Sequence, residues 1–316
     1  MGALAEFLNA VSAVFVLLML MSVGYIMGKV GWMTDKEKRF LSKYIVNIAV
    51  PFNCLNGLLN NLDQAMLNSA GLMLIASVLG IVVTLLLSWG AAALLRLPNN
   101  RKGVFIAMAS LSNTLFIGLP LSTQLFGEVC IPYVMIYYLA NTFFVQTVGT
   151  ILIERAGNVQ TERTVKGFCK DIFSKPPIIG VLVSVLLLAL DLRPPEVIMT
   201  FAKYISGSVS PMALVYCGFI LYEVGLRNLR FQRGIPTMLV IRLLIAPVLC
   251  YGMCRLFGIS GLALSVFTVE SALPVVTQVT VLSGAFGADE KYAASGACIS
   301  TLCCFVTIPV LMVLLG

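Results

Sequence analysis

Histidine is absent from this 316-residue sequence, and charged side chains make up only 11% of it. The missing histidine removes the commonest general base and the commonest metal ligand. A soluble globular domain has about 25% charged residues, so this sequence has too few charges to cover a surface in water. The scarcity of charge therefore excludes an ordinary soluble domain, and no part of the sequence is left over to form one.

Motifs of several functional classes are also missing. The nine cysteines form no CxxC pair, so we interpret them as small packing residues rather than metal or redox ligands. The sequence has no P-loop, no GxSxG motif and no paired-aspartate motif. The net charge of +7 is spread over several loops, which argues against nucleic-acid binding. We therefore expect neither an enzyme nor a resident cofactor.

Long apolar runs, in contrast, are abundant, and hydrophobic residues make up 59% of the chain. About 20 apolar residues cross a bilayer as a helix. The runs between polar breaks predict ten such spans, the first of them at the N-terminus in place of a signal peptide. The predicted spans are residues 5–28, 40–60, 69–95, 102–126, 130–154, 175–191, 197–222, 235–257, 262–287 and 291–315.

Short sequence matches recur at a fixed offset. Lys43-Tyr44-Ile45 with Pro51 returns 160 positions later as Lys203-Tyr204-Ile205 with Pro211, and Phe126-Gly127 returns as Phe286-Gly287. Such self-similarity indicates one half-length unit used twice, which is typical of membrane transporters. The longest polar break then separates a first five-helix repeat, residues 1–155, from a second, residues 175–316, through a cytoplasmic linker, residues 156–174.

The basic residues predict the orientation. Most of the 21 lysines and arginines fall in the loops after spans 1, 3, 5, 7 and 9, which places these loops in the cytoplasm and both termini outside. Because each repeat has five spans, an odd number, the second repeat enters the membrane in the opposite sense to the first. The repeat is therefore predicted to be inverted, as alternating access requires.

Polar residues gather around a proline in span 4. Proline lacks an N–H and clashes one turn back, so Pro120 is expected to break or kink this helix, with Gly118 adding backbone freedom just before it. An unwound stretch at membrane depth survives only when it is buried in protein or lines a cavity. The side chains of Ser112, Asn113 and Thr114 lie within two turns of Pro120 and are predicted to contribute to a site.

Span 9 has the same character. Pro274 frees the carbonyl of Glu270, and an ionisable residue within a span is a functional candidate by default. Glu270 is predicted to serve a coupling ion, either as a proton carrier or as a Na⁺ ligand together with Ser112 and Asn113. Its neighbour Ser271 is included in the coupling-ion site. Pairing of Glu270 with a buried cation is the structural alternative.

If the two breaks meet near the midplane, the half-helices beyond Pro120 and Pro274 present their N-termini there. These ends carry partial positive charge and favour an anion such as a carboxylate. The sequence therefore predicts a site for a small organic anion. The predicted substrate-binding residues are Asn113, Thr114, Gly118, Pro120, Pro274, Thr277, Gln278, Asn53 and Arg242. The alternative to substrate contact for Asn53 is a hydrogen bond between neighbouring helices. For Arg242 the alternatives are an ion pair with Glu223 and snorkelling of the side chain to the cytoplasmic face.

On these segments the sequence resembles the auxin efflux carrier family, which includes bacterial malate and malonate permeases and is related to the plant PIN proteins. The resemblance covers nearly the whole chain and is most specific in residues 112–127, 272–274 with 286–287, and 242–247. It implies an all-α integral membrane protein with ten transmembrane helices as two inverted five-helix repeats. Helices 4 and 9 are then broken crossover helices, as in bile-acid symporters and sodium–proton antiporters.

The resemblance also implies a scaffold domain of helices 1, 2, 6 and 7, through which a homodimer forms, and a transport domain of helices 3–5 and 8–10. In bile-acid symporters a Ser-Asn on helix 4 and a Glu on helix 9 bind Na⁺, and Ser112, Asn113 and Glu270 lie in comparable places.

The leading hypothesis is a secondary transporter of a malate- or malonate-like carboxylate, or of an auxin-like weak acid, with elevator-type alternating access. Coupling to Na⁺ or H⁺ is left open. The alternatives are an anion channel and a membrane-embedded sensor on the same fold. We expect a multi-pass protein of the bacterial inner membrane whose partners are its substrate, lipid and a second copy of the chain.

Overall fold

Helices dominate the part of the chain that the computed structural model describes, which comprises residues 3–61, 64–158, 174–225, 229 and 231–315. Within these ranges there is no strand, and the single isolated β-bridge joins Ser112 to Val275. Most of the predicted linker 156–174 lies outside them, as do Arg163, Lys166, Lys170, Arg227 and Arg230 of the predicted cytoplasmic loops.

The helices before the predicted linker follow the apolar runs. They are α1 (Ala3–Lys29), α2 (Asp35–Tyr44), α3 (Val50–Asn61), α4 (Gln64–Leu94), α5 (Asn99–Ser110), α6 (Leu119–Phe126), α7 (Ile131–Phe144) and α8 (Thr150–Ala156). Thr34 and Glu37 form a capping box that fixes the start of α2. Tyr44 and Val50 are joined by a π-helical turn, Ile45–Ala49, so α2 and α3 form one continuous helical path.

The helices after the predicted linker are α9 (Pro176–Ala189), α10 (Glu196–Gly207), α11 (Val209–Val224), α12 (Ile235–Val240), α13 (Ala246–Leu256), α14 (Gly261–Ser271), α15 (Gln278–Phe286) and α16 (Glu290–Leu315). Glycines permit close helix contact at several points; for example, a Cβ on Gly24 of α1 would collide with the backbone of Val215 in α11. Small residues of this kind let helices in a membrane pack backbone to backbone.

Six helical segments of the described chain are long and apolar enough to cross a membrane: Leu8–Lys29, Ser69–Leu94, Glu128–Ala156, Glu196–Val224, Ile235–Leu256 and Glu290–Leu315. Shorter apolar helices include Thr114–Phe126, Pro176–Ala189 and Gly261–Ser271. Large side chains such as Leu86, Val248 and Val306 are more than 60% exposed on these helices, as expected for contact with lipid. The chain is therefore a multi-pass membrane protein that is helical and free of strands in its described residues, and the count of ten spans stays a prediction.

Prolines in three helices follow π-helical turns. The turns Ile45–Ala49, Thr114–Gly118 and Ile241–Ile245 each end two residues before a proline, namely Pro51, Pro120 and Pro247. A proline ring clashes with the carbonyl four residues earlier, and a wider turn accommodates that carbonyl without interrupting the helix. Pro120 was predicted to break or kink span 4; it does not break the helix, which continues through Pro120 into α6, and the kink stays a prediction.

Candidate functional site

Two helices are interrupted in the middle of the molecule. Span 4 loses helical structure after Ser110 and regains it at Thr114, so its break is Leu111–Asn113, several residues before Pro120. Span 9 is interrupted between the end of α14 at Ser271 and the start of α15 at Gln278, and this break contains Pro274. Leu111 has extended backbone angles, which allow it to pair with another extended strand.

The two breaks lie against each other as short antiparallel segments. The N–H of Asn113 donates to the carbonyl of Pro274 at 2.9 Å, and the N–H of Val276 donates to the carbonyl of Leu111 at 3.3 Å. The N–H of Val275 donates to Ser300 Oγ of α16 at 3.1 Å. Backbone groups released by the breaks are therefore paired, as buried backbone in a membrane requires.

Asn141 of α7 supports the span 4 break. Its Oδ1 accepts from the N–H of Ser112 at 3.1 Å, and its Nδ2 donates to the carbonyl of Ser112 at 2.8 Å. Ser112 Oγ lies 3.5 Å from the same Oδ1. One amide side chain thus replaces two missing helical hydrogen bonds, which holds the unwound residue in place.

Asn113 and Thr277 join the starts of the two half-helices. Asn113 Nδ2 donates to Thr277 Oγ1 at 3.1 Å, while its Oδ1 accepts from the N–H of Phe116 and caps the turn that begins at Thr114. Thr277 immediately precedes α15. Two helix N-termini therefore meet beside these side chains, and both direct partial positive charge to the same place.

A cavity of about 1120 Å³ ends at this crossing. Asn113, Thr277 and Thr280 contribute polar groups to its wall, and Ile117 and Val275 contribute apolar surface. Above Ile117, the ring of Phe116 stacks on Tyr216 of α11 with centroids 4.8 Å apart. The cavity is thus large enough for a small organic molecule, and uncharged polar groups lie at the end formed by the helix crossing.

The other end of the cavity is lined by charged residues. Lys38 of α2 pairs with Glu223 of α11 at 2.6 Å, and Arg101 of α5 pairs with Asp289 at 2.6 Å. Lys38 also bonds Asp35, and this hydrogen bond holds the pKa of the Asp35 carboxyl below its usual value. Lys38 and Arg101 therefore have carboxylate partners, whereas Lys291, which also lines the cavity, forms none of the ion pairs of the described residues. The helix termini supply positive potential at the crossing.

Glu270 and Ser271 lie beside the crossing but outside the cavity wall. Glu270 is 0% exposed, and its Oε1 accepts from Ser122 Oγ of α6 at 2.7 Å. Ser271 Oγ donates to the carbonyl of Thr268 in its own helix. The predicted Na⁺ ligands are not assembled, because Ser112 and Asn113 contact Asn141 and Thr277 rather than the Glu270 carboxyl.

Arg242 is 1% exposed and donates from Nη2 to the carbonyl of Ser271 at the end of α14. It neither lines the cavity nor pairs with Glu223, which binds Lys38. A cation at a helix C-terminus stabilises the exposed carbonyl end, so Arg242 caps the first half of span 9.

The remaining predicted residues are divided between the crossing and the periphery. Thr114 and Gly118 are buried on the half-helix that begins at the crossing, and Gln278 accepts from Gln146 Nε2 at 3.0 Å. Asn53 donates to Ser206 Oγ at 2.8 Å between α3 and α10, so its contact is the helix-to-helix bond of the alternative interpretation. Sequence reasoning missed Ser122 and Ser300, each of which is followed by a threonine within a span and belongs to no recognisable motif.

Comparison with known proteins agrees with this architecture. A family model described as "Membrane transport protein" matches residues 9–312. The chain belongs to that family. The match confirms the resemblance to auxin efflux carriers.

Individual relatives are similar over most of the chain. A protein named an uncharacterized transporter from Methanocaldococcus jannaschii is 24% identical over 91% of this chain and 93% of its own length. Another uncharacterized transporter, from Methanothermobacter thermautotrophicus, is 24% identical over 98% of this chain and 99% of its own length. The lysosomal cholesterol signaling protein of Mus musculus is 26% identical over 92% of this chain, which matches 35% of that larger protein.

Proposed function

We propose that this membrane transport protein is a secondary active transporter of a small organic anion, with a malate-like or malonate-like carboxylate or an auxin-like weak acid as substrate. The observation that carries the proposal is the cavity of about 1120 Å³ that ends at Asn113 and Thr277. Two helix N-termini meet there, and such ends favour anions. The apolar wall around Ile117 and Val275 suits the carbon skeleton of the substrate.

We further propose that the substrate moves by an elevator mechanism. Helix α1 packs along α11, and α3 packs against α9 and α10, which supports a scaffold of spans 1, 2, 6 and 7. The crossing packs instead among α5, α7 and α16, in a transport domain of spans 3–5 and 8–10. The cavity lies between these groups, with Met21 and Tyr216 on one wall and Thr277 and Ser295 on the other.

The equivalent positions of the two breaks support ten spans in two inverted repeats, residues 1–155 and 175–316. With the basic loops in the cytoplasm, the charged end of the cavity would face the cytoplasm, and we propose that this conformation is an inward-facing state. We also propose a bacterial inner-membrane location with both termini outside, and a homodimer formed through the scaffold.

A ligand-binding screen tests the substrate class. The purified protein in detergent is heated with malate, malonate, other carboxylates or indole acetate, each with and without Na⁺. A ligand that binds the folded state raises the unfolding temperature in proportion to the logarithm of its concentration over Kd. Asn113→Ala should abolish the shift, and the matched variant Asn60→Ala, on an exposed face of α3, should keep it. A shift of equal size in both variants would place the binding site elsewhere.

A sensor on the same fold is the second candidate, and the name of the mouse relative favours it. A sensor and a transporter both bind their ligand, but only a transporter exchanges it across the membrane. Thermal stabilisation without uptake or counterflow in proteoliposomes would therefore support the sensor. Uptake that rises linearly with concentration, without saturation, would support a channel.

A further inference from the structure

Glu270 is a carboxyl group enclosed on all sides within the described part of the molecule. Its side chain is 0% exposed, Oε1 accepts from Ser122 Oγ at 2.7 Å, and Oε2 has no hydrogen-bond partner. The half-helix that contains Ser122 packs directly on the carboxyl, because a Cβ on Gly118 would lie 2.5 Å from Oε2 and 2.9 Å from Oε1. The carboxyl thus lies in a closely packed contact between α14 and the second half of span 4.

No cation forms an ion pair with this carboxyl among the described residues. The three ion pairs of the described residues join Lys38 to Asp35, Lys38 to Glu223, and Arg101 to Asp289, and none of them involves Glu270. Arg242 lies in the same region, but its guanidinium donates to the carbonyl of Ser271 and forms no ion pair with Glu270. An ionised carboxylate that is buried without a partner costs several kcal/mol, whereas the neutral acid costs much less.

Among the described groups near Glu270, Arg242 alone carries a charge, and the others are weakly acidic. The loop before α7 brings the thiol of Cys130 within electrostatic range, and α7 itself brings the phenol of Tyr137. On α13, Cys250 Sγ donates to the carbonyl of Phe267, one turn before Glu270. On α16, Cys304 lies beside Arg242. The titratable neighbours among the described residues are thus thiols, a phenol and Arg242, whose Nε and Nη1 have no hydrogen-bond partner, and none of them is a second carboxyl.

The surroundings of Glu270 do not fit a sodium ion. Na⁺ is a hard cation that requires several oxygen ligands, as do Ca²⁺ and Mg²⁺. One hydroxyl, Ser122 Oγ, contacts the carboxyl, and the close approach of Gly118 leaves no space for an ion between Glu270 and α6. Ser112 and Asn113 are committed to Asn141 and to Thr277. A proton, in contrast, requires only one oxygen atom and no additional space.

We propose that Glu270 is a proton-binding site and that the proton it carries is the coupling ion of transport. The coupling role rests on the proposed transporter function, whereas proton binding itself does not. In the binding step the ionised carboxylate takes up one proton and becomes a neutral carboxylic acid, with Ser122 retaining its hydrogen bond to Oε1. One negative charge is thereby removed from the interior of the transport domain.

This change in charge links proton and substrate. Arg242 is also buried in the transport domain, so an ionised Glu270 balances its positive charge in the empty domain, and a bound monovalent anion then leaves one net negative charge to cross the hydrocarbon. A monovalent anion bound at Asn113 and one proton at Glu270 together add no net charge. The domain loaded with both therefore crosses more readily than the domain loaded with the anion alone, which is anion–proton symport.

Infrared difference spectroscopy of the protein in lipid tests proton binding without any substrate. A protonated carboxyl has a carbonyl-stretch band that a carboxylate lacks. The wild type should show this band, lose it in alkaline buffer and keep it when Na⁺ replaces K⁺ at constant pH. Glu270→Gln should remove it, Ser122→Ala should shift it, and the matched control Glu128→Gln, an exposed loop residue, should leave it unchanged.

Two spectroscopic outcomes would overturn the proposal. A wild-type spectrum with no band that Glu270→Gln removes, at any pH at which the protein is folded, would show that Glu270 does not bind a proton. Loss of the band on addition of Na⁺ at constant pH would show that the site binds sodium instead.

The coupling role is tested in proteoliposomes that contain a pH-sensitive dye, with malate, malonate and indole acetate as probes. Uptake of a transported probe should acidify the lumen and fall with external alkalinity, by about tenfold per pH unit at most for one proton. Glu270→Gln should lose both effects, and Glu128→Gln should keep them. Proton movement that persists in Glu270→Gln would overturn the coupling role. Absence of uptake for every probe, with the infrared band present, would instead count against the transporter function and leave the proton site standing.

Discussion

Gly118 determines how closely the second half of span 4 approaches α14, so Gly118→Ala should destabilise the protein. The added methyl group would meet both Glu270 carboxyl oxygens, at 2.5 and 2.9 Å, and would collide with Leu273 Cδ1. Overpacking of a buried contact costs about 1–3 kcal/mol in typical cases. Because the oxygens and Leu273 are all buried, none of them has solvent to move into, and we expect a cost towards the upper end of this range.

Gly252 of α13 provides a matched control. It is also helical, but a Cβ at Gly252 meets no atom within 4 Å. Gly252→Ala should therefore be neutral or stabilising, by up to about 1 kcal/mol, because alanine restricts the unfolded chain. The two variants thus carry the same chemical change with opposite expected signs.

The assay is reversible unfolding of both variants in mixed detergent micelles, followed by helix circular dichroism. The difference in the free energy of unfolding gives the cost of the contact at Gly118. If Gly118→Ala were as stable as Gly252→Ala, the half-helix would not pack against Glu270 as described. The close contact that excludes Na⁺ from this site would then be wrong as well.

Three further predictions concern the crossing and the cavity. Asn113→Ala removes a helix cap and the bond to Thr277 and should lower stability by about 1–2 kcal/mol, which chemical unfolding measures. In a background without native cysteines, Thr280→Cys in the cavity should react with a membrane-impermeant thiol reagent from the cytoplasmic side, whereas Leu86→Cys on the lipid face should not. Labelling of Leu86→Cys but not of Thr280→Cys would show that the cavity does not open where we describe it. Arg242→Met should reduce transport through loss of the cap on Ser271, and a wild-type transport rate would show that the cap is dispensable.

The positions of the polar residues in spans 4 and 9 were predictable because a membrane tolerates few of them. Asn113, Thr277 and Pro274 all lie at the crossing, as their clustering near prolines indicated. The break itself was less predictable. A break was expected at Pro120 because prolines disrupt helices, but a π-helical turn accommodates this proline within the helix. The interruption occurs instead at Leu111–Asn113, where Asn141 replaces the lost backbone hydrogen bonds.

Side-chain pairings across helices could not be derived from the sequence. Arg242 and Glu270 were both recognised as ionisable residues within spans, yet their partners are a carbonyl and a serine rather than a substrate, Glu223 or a buried cation. No sequence signal distinguishes Ser122 from the other hydroxyl side chains of the spans. Its hydrogen bond to Glu270 depends on which face of α6 packs against α14. Gly118 permits this orientation, because its missing side chain lets the second half of span 4 approach α14. No local sequence pattern indicates how closely these two segments pack.

Counterflow in proteoliposomes distinguishes alternating access at this cavity from passage through a channel. Vesicles that contain the purified protein are loaded with an unlabelled anion identified by the thermal screen and diluted into a trace of the same labelled anion. We expect transient accumulation of label above equilibrium, saturation with external concentration, and loss of both in Asn113→Ala relative to Asn60→Ala. Label that equilibrates without overshoot, with a flux proportional to concentration, would contradict alternating access at this cavity.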